Sequence, residues 1–191
     1  MTGRAHIRRH PERAANDEVS SILADGLVAH VGFSQDGQPY VIPFSYYYDP
    51  ARAGRLYLHG APASRALQHL ASGAPMCISI TLLDGLVYSR TAMFHSMNYR
   101  SVVLFGRGRR VTDEAEKRRL FERMIERYFK GRTAGRDYET PPPAHLAATE
   151  LIEVEIEEAS AKARRGGPRG PHDKDPDARG TSGVIKLHGA A

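Results

Sequence analysis

Along most of this chain apolar positions alternate with polar ones, and in three stretches the spacing changes to a helical period. LVAHVGF (27–33) and PYVIPFSYYY (39–48) are rich in β-branched and aromatic residues, which predicts two strands. Between them SQDGQ carries Asp36 and Gly37, a pair suited to the positive-φ positions of a hairpin turn. A second turn, DPARAG (49–54), leads into the strand RLYLHG (55–60). MCISITLL (76–83) and YRSVVLFGRGRRV (99–111) predict two more strands, with Gly106 and Gly108 at a bulge or bend. LIEVEIEEA sets Ile152, Val154 and Ile156 against Glu153, Glu155 and Glu157, the pattern of a strand with one solvated face.

The helical stretches are AANDEVSSILA (14–24), with Val19, Ile22 and Leu23 on one face and Asn16 or Asp17 as N-cap, APASRALQHLASG (61–73) and residues 112–131. In the last, Leu120, Phe121, Met124, Ile125, Tyr128 and Phe129 form one stripe, which should pack on the side of a barrel. Strands in meander order, covering helices and a late returning strand predict a mainly β (α+β) antiparallel barrel with flanking helices, not a doubly wound parallel sheet. From Lys162 to Ser182 the composition turns to Gly, Pro, Arg, Lys and Asp, with little apolar surface to order it. We therefore expect a basic N-terminal tail (1–13), a body (14–161) and a C-terminal arm (162–191), the arm being either a free tail or a segment held by a partner subunit.

Composition narrows the class. The chain has 191 residues, 41% of them hydrophobic, enough for one core. It carries no apolar run of membrane-spanning length and no signal-like N-terminus, so a soluble, cytoplasmic protein is expected. The net charge of +5 is concentrated at the ends, with Arg4, Arg8, Arg9 and Arg13 against Glu12 at one and seven Lys/Arg against three Asp beyond residue 161 at the other. The body is therefore slightly acidic, and a nucleic-acid groove there is not expected. A single cysteine, Cys77, excludes an internal disulfide and reads as a core residue. Among nine histidines the helix-spaced pair His6 and His10 lacks acidic or cysteine partners, so no metal site is expected. In Tyr46, Tyr47 and Tyr48, alternation allows one or two rings to face a ligand.

The best signal for chemistry is LYLHGAPASRAL (56–67), where a strand runs into a helix N-terminus. Free backbone N–H groups and the positive helix end there favour an anion. Ser64 adds a hydroxyl, Arg65 a guanidinium and His59 a ring nitrogen, a set suited to a phosphate monoester. An ordinary capped helix with a solvent-exposed arginine fits the same residues.

The succession PYVIPFSYYY, LYLHGAPASRALQHL, NYRSVVLFGRGRRVTDEAEKRRLFERMIERY and EVEIEEASAKARRGGP resembles the FMN-binding split-barrel, pyridoxamine 5'-phosphate oxidase-like family, in particular its nitroimidazole-resistance-like branch. The resemblance implies that Val41, Ile42, Pro43 and Phe44 line a flavin ring, that the strand turns under the cofactor at His59 and Gly60, and that Ser64 and Arg65 clamp its phosphate. It implies that Tyr99, Arg100 and Ser101 approach the FMN at the interface of a homodimer. A lysine typical of true pyridoxamine phosphate oxidases is absent near Ala66, so vitamin B6 oxidation is not expected, and no catalytic side chain is identified. The function so implied is a flavin-dependent reductase of a small molecule such as a nitroaromatic or quinone-like compound. A non-catalytic flavin- or haem-binding module and a deazaflavin-dependent reductase stand as alternatives. Val102, Val103, Leu104 and Phe105 are apolar on both strand faces, which calls for a second layer, and the resemblance assigns that layer to the partner subunit.

Overall fold

The structure, a computed structural model, describes residues 3–187. Its strands are β1 (Val28–Gln35), β2 (Gln38–Tyr48), β3 (Arg55–Gly60), β4 (Met76–Tyr88), β5 (Ser96–Arg110), β6 (Glu150–Arg164) and β7 (Gly183–Lys186). Every pairing between them is antiparallel. The order β1-β2-β3-β6-β5-β4-β7 is closed by a β1–β4 pairing, so six strands form a ring. The ring splits along β4, whose one edge meets β1 at Cys77–Ser79 and β7 at Gly85–Tyr88. The β1–β2 hairpin turns at Asp36 (φ 52) and Gly37 (φ 78), the two left-handed residues that a tight two-residue loop requires.

Val31, Leu56, Leu58, Ile78, Ile80, Val102, Leu104, Ile152 and Val154 fill the ring and are fully buried. Each contributes about 1.5–3 kcal/mol of apolar burial. The short helices α1 (Val19–Asp25), through Ile22 and Leu23, and α2 (Arg65–Ala71), through Leu67 and Leu70, join this core. The longer α3 (Glu114–Tyr128) begins at Asp113, whose carboxylate accepts from the Glu116 N–H at 2.7 Å. Its buried Leu120 and Met124 form a second cluster with Tyr47, Tyr57, Val111 and Leu151 on the outside of the ring. A five-residue helix, α4 (Pro143–Ala147), packs beside α3.

Several local expectations change. α2 starts at Arg65, because residues 61–64 form a turn, and β4 runs on to Tyr88. Asn16 does not cap α1; its Oδ1 accepts from the Ala161 N–H at 2.9 Å and ties the N-terminal segment to β6. Cys77 is half-buried. All three tyrosines are buried, since the inner core and α3 cover both faces of β2. The Tyr46 hydroxyl donates to Leu23 O at 2.7 Å, that of Tyr48 to Ser20 Oγ at 3.0 Å, and Tyr47 stacks on Tyr57. The face of β6 expected to be solvated is partly closed by α3, and Glu153 is only 2% exposed.

Both chain ends lie on the body. Arg4 bonds Glu157 and Glu158 and stands 5.3 Å over the Phe105 ring, and residues 4–9 line one groove with Val103 and Phe105. The layer over the outer face of β5 thus comes from this chain's own N-terminal segment, which removes the strand pattern as an argument for a partner. The arm folds back as well: Ser89 Oγ and Arg90 N–H donate to Asp173 at 2.9 and 2.8 Å, and β7 pairs with β4. It is held on its own chain by these contacts, which a free tail would lack. Among the described residues no helix is long and apolar enough to cross a membrane, and no group of metal-ligating side chains converges.

Candidate functional site

β2 has two different edges. On one, Val41, Ile42, Pro43 and Phe44 pair with Gly32, Val31, His30 and Ala29 of β1. On the other, pairing with β3 covers only Tyr46–Tyr48, because β3 ends at Gly60, opposite Phe44, and the chain turns into α2. The outer backbone edge of residues 41–44 therefore has no strand neighbour among the described residues. Along this stretch the pleat turns Tyr40, Ile42 and Phe44 toward the core, while Val41 (68% exposed) and Pro43 face outward.

The turn after β3 brings α2 to this open edge. Ser64 occupies the N-cap position, yet its hydroxyl makes no capping bond. The Arg65 guanidinium lies 4.5 Å over the Tyr40 ring, a cation–π contact that aims it along β2. Tyr40 was not singled out from the sequence; the signal available was its place in the Tyr40–Ile42–Phe44 alternation. Gly60 faces the α2 side, where a Cβ would stand 3.1 Å from Leu67 Cδ1. The strip Val41–Phe44, Gly60, Ser64 and Arg65 is thus one continuous surface offering free backbone polar groups, a hydroxyl and a guanidinium.

His59 does not join it. Its ring meets Phe121 edge-on at 5.2 Å and lines a cavity of about 330 Å³ with Ile125, Tyr138 and His145. Its Nδ1 is buried without a hydrogen-bond partner, and burial lowers its pKa, so the ring is neutral at pH 7.

Tyr99, Arg100 and Ser101 lie on β5, three strands from β2 in either direction around the ring. Arg100 is held by Asp84 through Nε (3.0 Å) and Nη2 (2.9 Å) and by Asp25 at 2.5 Å, and these carboxylates raise its pKa. Ser101 donates to Lys162 O at 3.3 Å. One chain therefore holds the two groups of expected site residues on opposite sides of the ring and does not bring them together.

A six-stranded antiparallel ring split along β4, with an open edge of β2 beside a strand-to-helix turn, defines a split-barrel protein. The family profile of pyridoxamine 5'-phosphate oxidase matches residues 15–163, and the chain belongs to this pyridoxamine 5'-phosphate oxidase-like family. Among solved structures, the flavocytochrome Anf3 of Azotobacter vinelandii is 30% identical with a TM-score of 0.84, the match covering 98% of this chain and 86% of that one. The FAD and haem binding protein of Mycobacterium smegmatis is also 30% identical, with a TM-score of 0.80 and coverage of 94% and 87%. A Bacteroides thetaiotaomicron protein described as a 5-nitroimidazole antibiotic resistance protein shares the fold at 22% identity and a TM-score of 0.61, over 83% of this chain and 96% of its own. No curated protein matches the chain.

Proposed function

We propose that this chain binds a flavin, FMN, on the strip Val41–Phe44, Gly60, Ser64 and Arg65, and that a homodimer completes each site and reduces a small molecule. The observation that carries this reading is the unpaired β2 edge lying beside a free hydroxyl and an arginine stacked on Tyr40. A flavin ring has a polar pyrimidine edge that main-chain N–H and C=O groups of residues 41–44 can pair, Pro43 offering an acceptor only. Ser64 and Arg65 suit its phosphate, Arg65 as a two-pronged charged donor.

The bound flavin supplies the hydride or electron chemistry. The chain's own residues hold and orient it: Ser64 and Arg65 fix the phosphate, the β2 backbone fixes the ring, and Val41 and Pro43 offer an apolar surface. The strip contains no carboxylate or thiol, which accords with a reaction whose electrons reside on the cofactor. Tyr99, Arg100 and Ser101 stand on the far side of the ring, so they reach a flavin only across a twofold interface, where each partner uses both half-sites. The exposed Val28 and Val41 on neighbouring strands favour such a covered face.

A fluorescence titration with FMN and with FAD tests the assignment. Arg65→Ala should weaken flavin binding at least about tenfold, the loss expected for charge-assisted hydrogen bonds to a phosphate. Unchanged affinity in a folded variant contradicts it. A second reading, in which haem accompanies the flavin and FAD replaces FMN, is favoured by the names of the two relatives at 30% identity. A Soret band on reconstitution with haem distinguishes it.

A further inference from the structure

Many of this protein's arginines, exposed and half-buried alike, meet carboxylates. Arg100 has Asp84 and Asp25, and Arg52, Arg55 and Arg109 converge on Glu153. Arg127, which lacks a carboxylate, donates to Leu23 O and Ala24 O at the C-terminal end of α1, itself a negative pole. Two arginines differ: half-buried Arg90, whose guanidinium donates to Ala178 O, and Arg164, the more buried of the two. Arg164 is 7% exposed, and its donors reach only neutral acceptors: Asn98 Oδ1 at 2.5 Å, Gly167 O at 3.2 Å and Gly166 O at 3.5 Å. Among the described residues no carboxylate lies within ion-pair distance of it. A buried guanidinium without a counter-charge is costly, and the fold makes matters worse by bringing further positive charge close.

That charge is placed by the chain's two ends. The N-terminal segment is pinned to β6 by an Ala14–Lys162 bridge and by Ala15 N–H donating to Ala161 O at 2.9 Å. His10, at a left-handed φ of 57, turns the chain so that Pro11–Arg13 coil against the end of β6. The arm contributes Arg165 and Arg169. Together Arg13, Arg164, Arg165 and Arg169, with Glu12 and Glu18, line a cavity of about 230 Å³. Glu18 is taken by Arg165, and Glu12 lies 2.9 Å from His10 and 3.8 Å from Arg13. Arg169 has no ion-pair partner among the described residues. Desolvation, then repulsion from Arg169 and Arg13, pulls the pKa of Arg164 down.

We propose that this cavity is a second ligand site, separate from the β2–α2 strip, that takes a phosphate-bearing small molecule between Arg13, Arg164 and Arg169. Guanidinium forks match phosphate oxygens and supply the counter-charge Arg164 lacks. The inference does not rest on flavin binding.

Calorimetric titration of the full-length protein with inorganic pyrophosphate tests it, with citrate and equal-ionic-strength chloride as comparators. In an Arg65→Ala background, which removes the competing phosphate clamp of the strip, saturable pyrophosphate binding is expected, weakened about tenfold or more by adding Arg169→Ala or Arg13→Ala. Both Arg169 and Arg13 lie outside the core, so these variants keep the fold if Arg164→Gln does not. Absence of saturable binding in that background, binding unaffected by Arg169→Ala and Arg13→Ala, or citrate binding as tight as pyrophosphate would each overturn the proposal.

Discussion

Glu153 shows how a single side chain can be read correctly for its strand and wrongly for its surroundings. Alternation puts it on the outer face of β6, and there α3 and three arginines enclose it: Arg109 at 2.7 Å, Arg55 at 3.2 Å and Arg52 at 3.9 Å, with the Tyr57 hydroxyl donating at 3.1 Å. Its removal leaves three cations around a buried gap, whereas each arginine is itself partly solvated. Glu153→Ala should therefore cost about 3 kcal/mol in urea unfolding, as for loss of one member of a buried pair. Arg109→Ala, removing an exposed partner, should cost about 1 kcal/mol or less. Equal costs would mean the network behaves as surface charge. His59 offers a pH test. Its ordinary pKa of 6.5 is lowered by burial, so on acidification the unfolded chain takes up a proton that the folded ring resists. Stability from this group is complete above that value and is lost as the pH falls toward the lowered pKa. His59→Phe should lose less stability than the parent between neutral pH and about pH 5.5; identical losses would contradict the assignment.

At the scale of elements, the long β5–β6 ladder depends on one irregularity. The register shifts between Phe105 and Gly106, and a Cβ on Gly106 would stand 2.0 Å from Glu155 O, a backbone atom that cannot swing away. Gly106→Ala should destabilise by about 3 kcal/mol, while Gly167→Ala, which meets open space, should stay within about 0.5 kcal/mol of the parent. A near-neutral Gly106→Ala in equilibrium unfolding would contradict the close approach. This bulge was legible in the sequence, as were the Asp36-Gly37 hairpin and the α3 stripe, because each is set by local backbone or periodicity. The second half of β4 was not: the expected strand stops at residue 83, yet the strand runs on through a register shift at Gly85, where β7 adds from the opposite side. β7 itself, Gly183–Lys186, has only Val184 and Ile185 as β-branched residues, too short a run to predict a strand. Burial of all three tyrosines was hidden for a similar reason, since it depends on α1 and α3 arriving from distant parts of the chain.

For the whole molecule, the two basic ends carry the largest revision. They read by composition as a tail and as an arm either free or held by a partner, but the N-terminal segment covers β5, the arm pairs with β4, and the two meet around Arg164. The strand-to-helix turn that carries Ser64 and Arg65 was legible because it is local. Placement that depends on topology was not: pleating takes His59 to the α3 side, and the ring order places Tyr99–Ser101 opposite β2. Under the proposed function that opposition would tie ligand binding to assembly, each site drawing on both chains. The most direct test is gel filtration with light scattering and visible absorption of the protein after incubation with equal FMN and FAD. We predict co-eluting flavin at one per chain on a particle of twice the chain mass, with FMN as the flavin retained; a flavin-free protein, or a monomer that holds flavin at full stoichiometry, would contradict it.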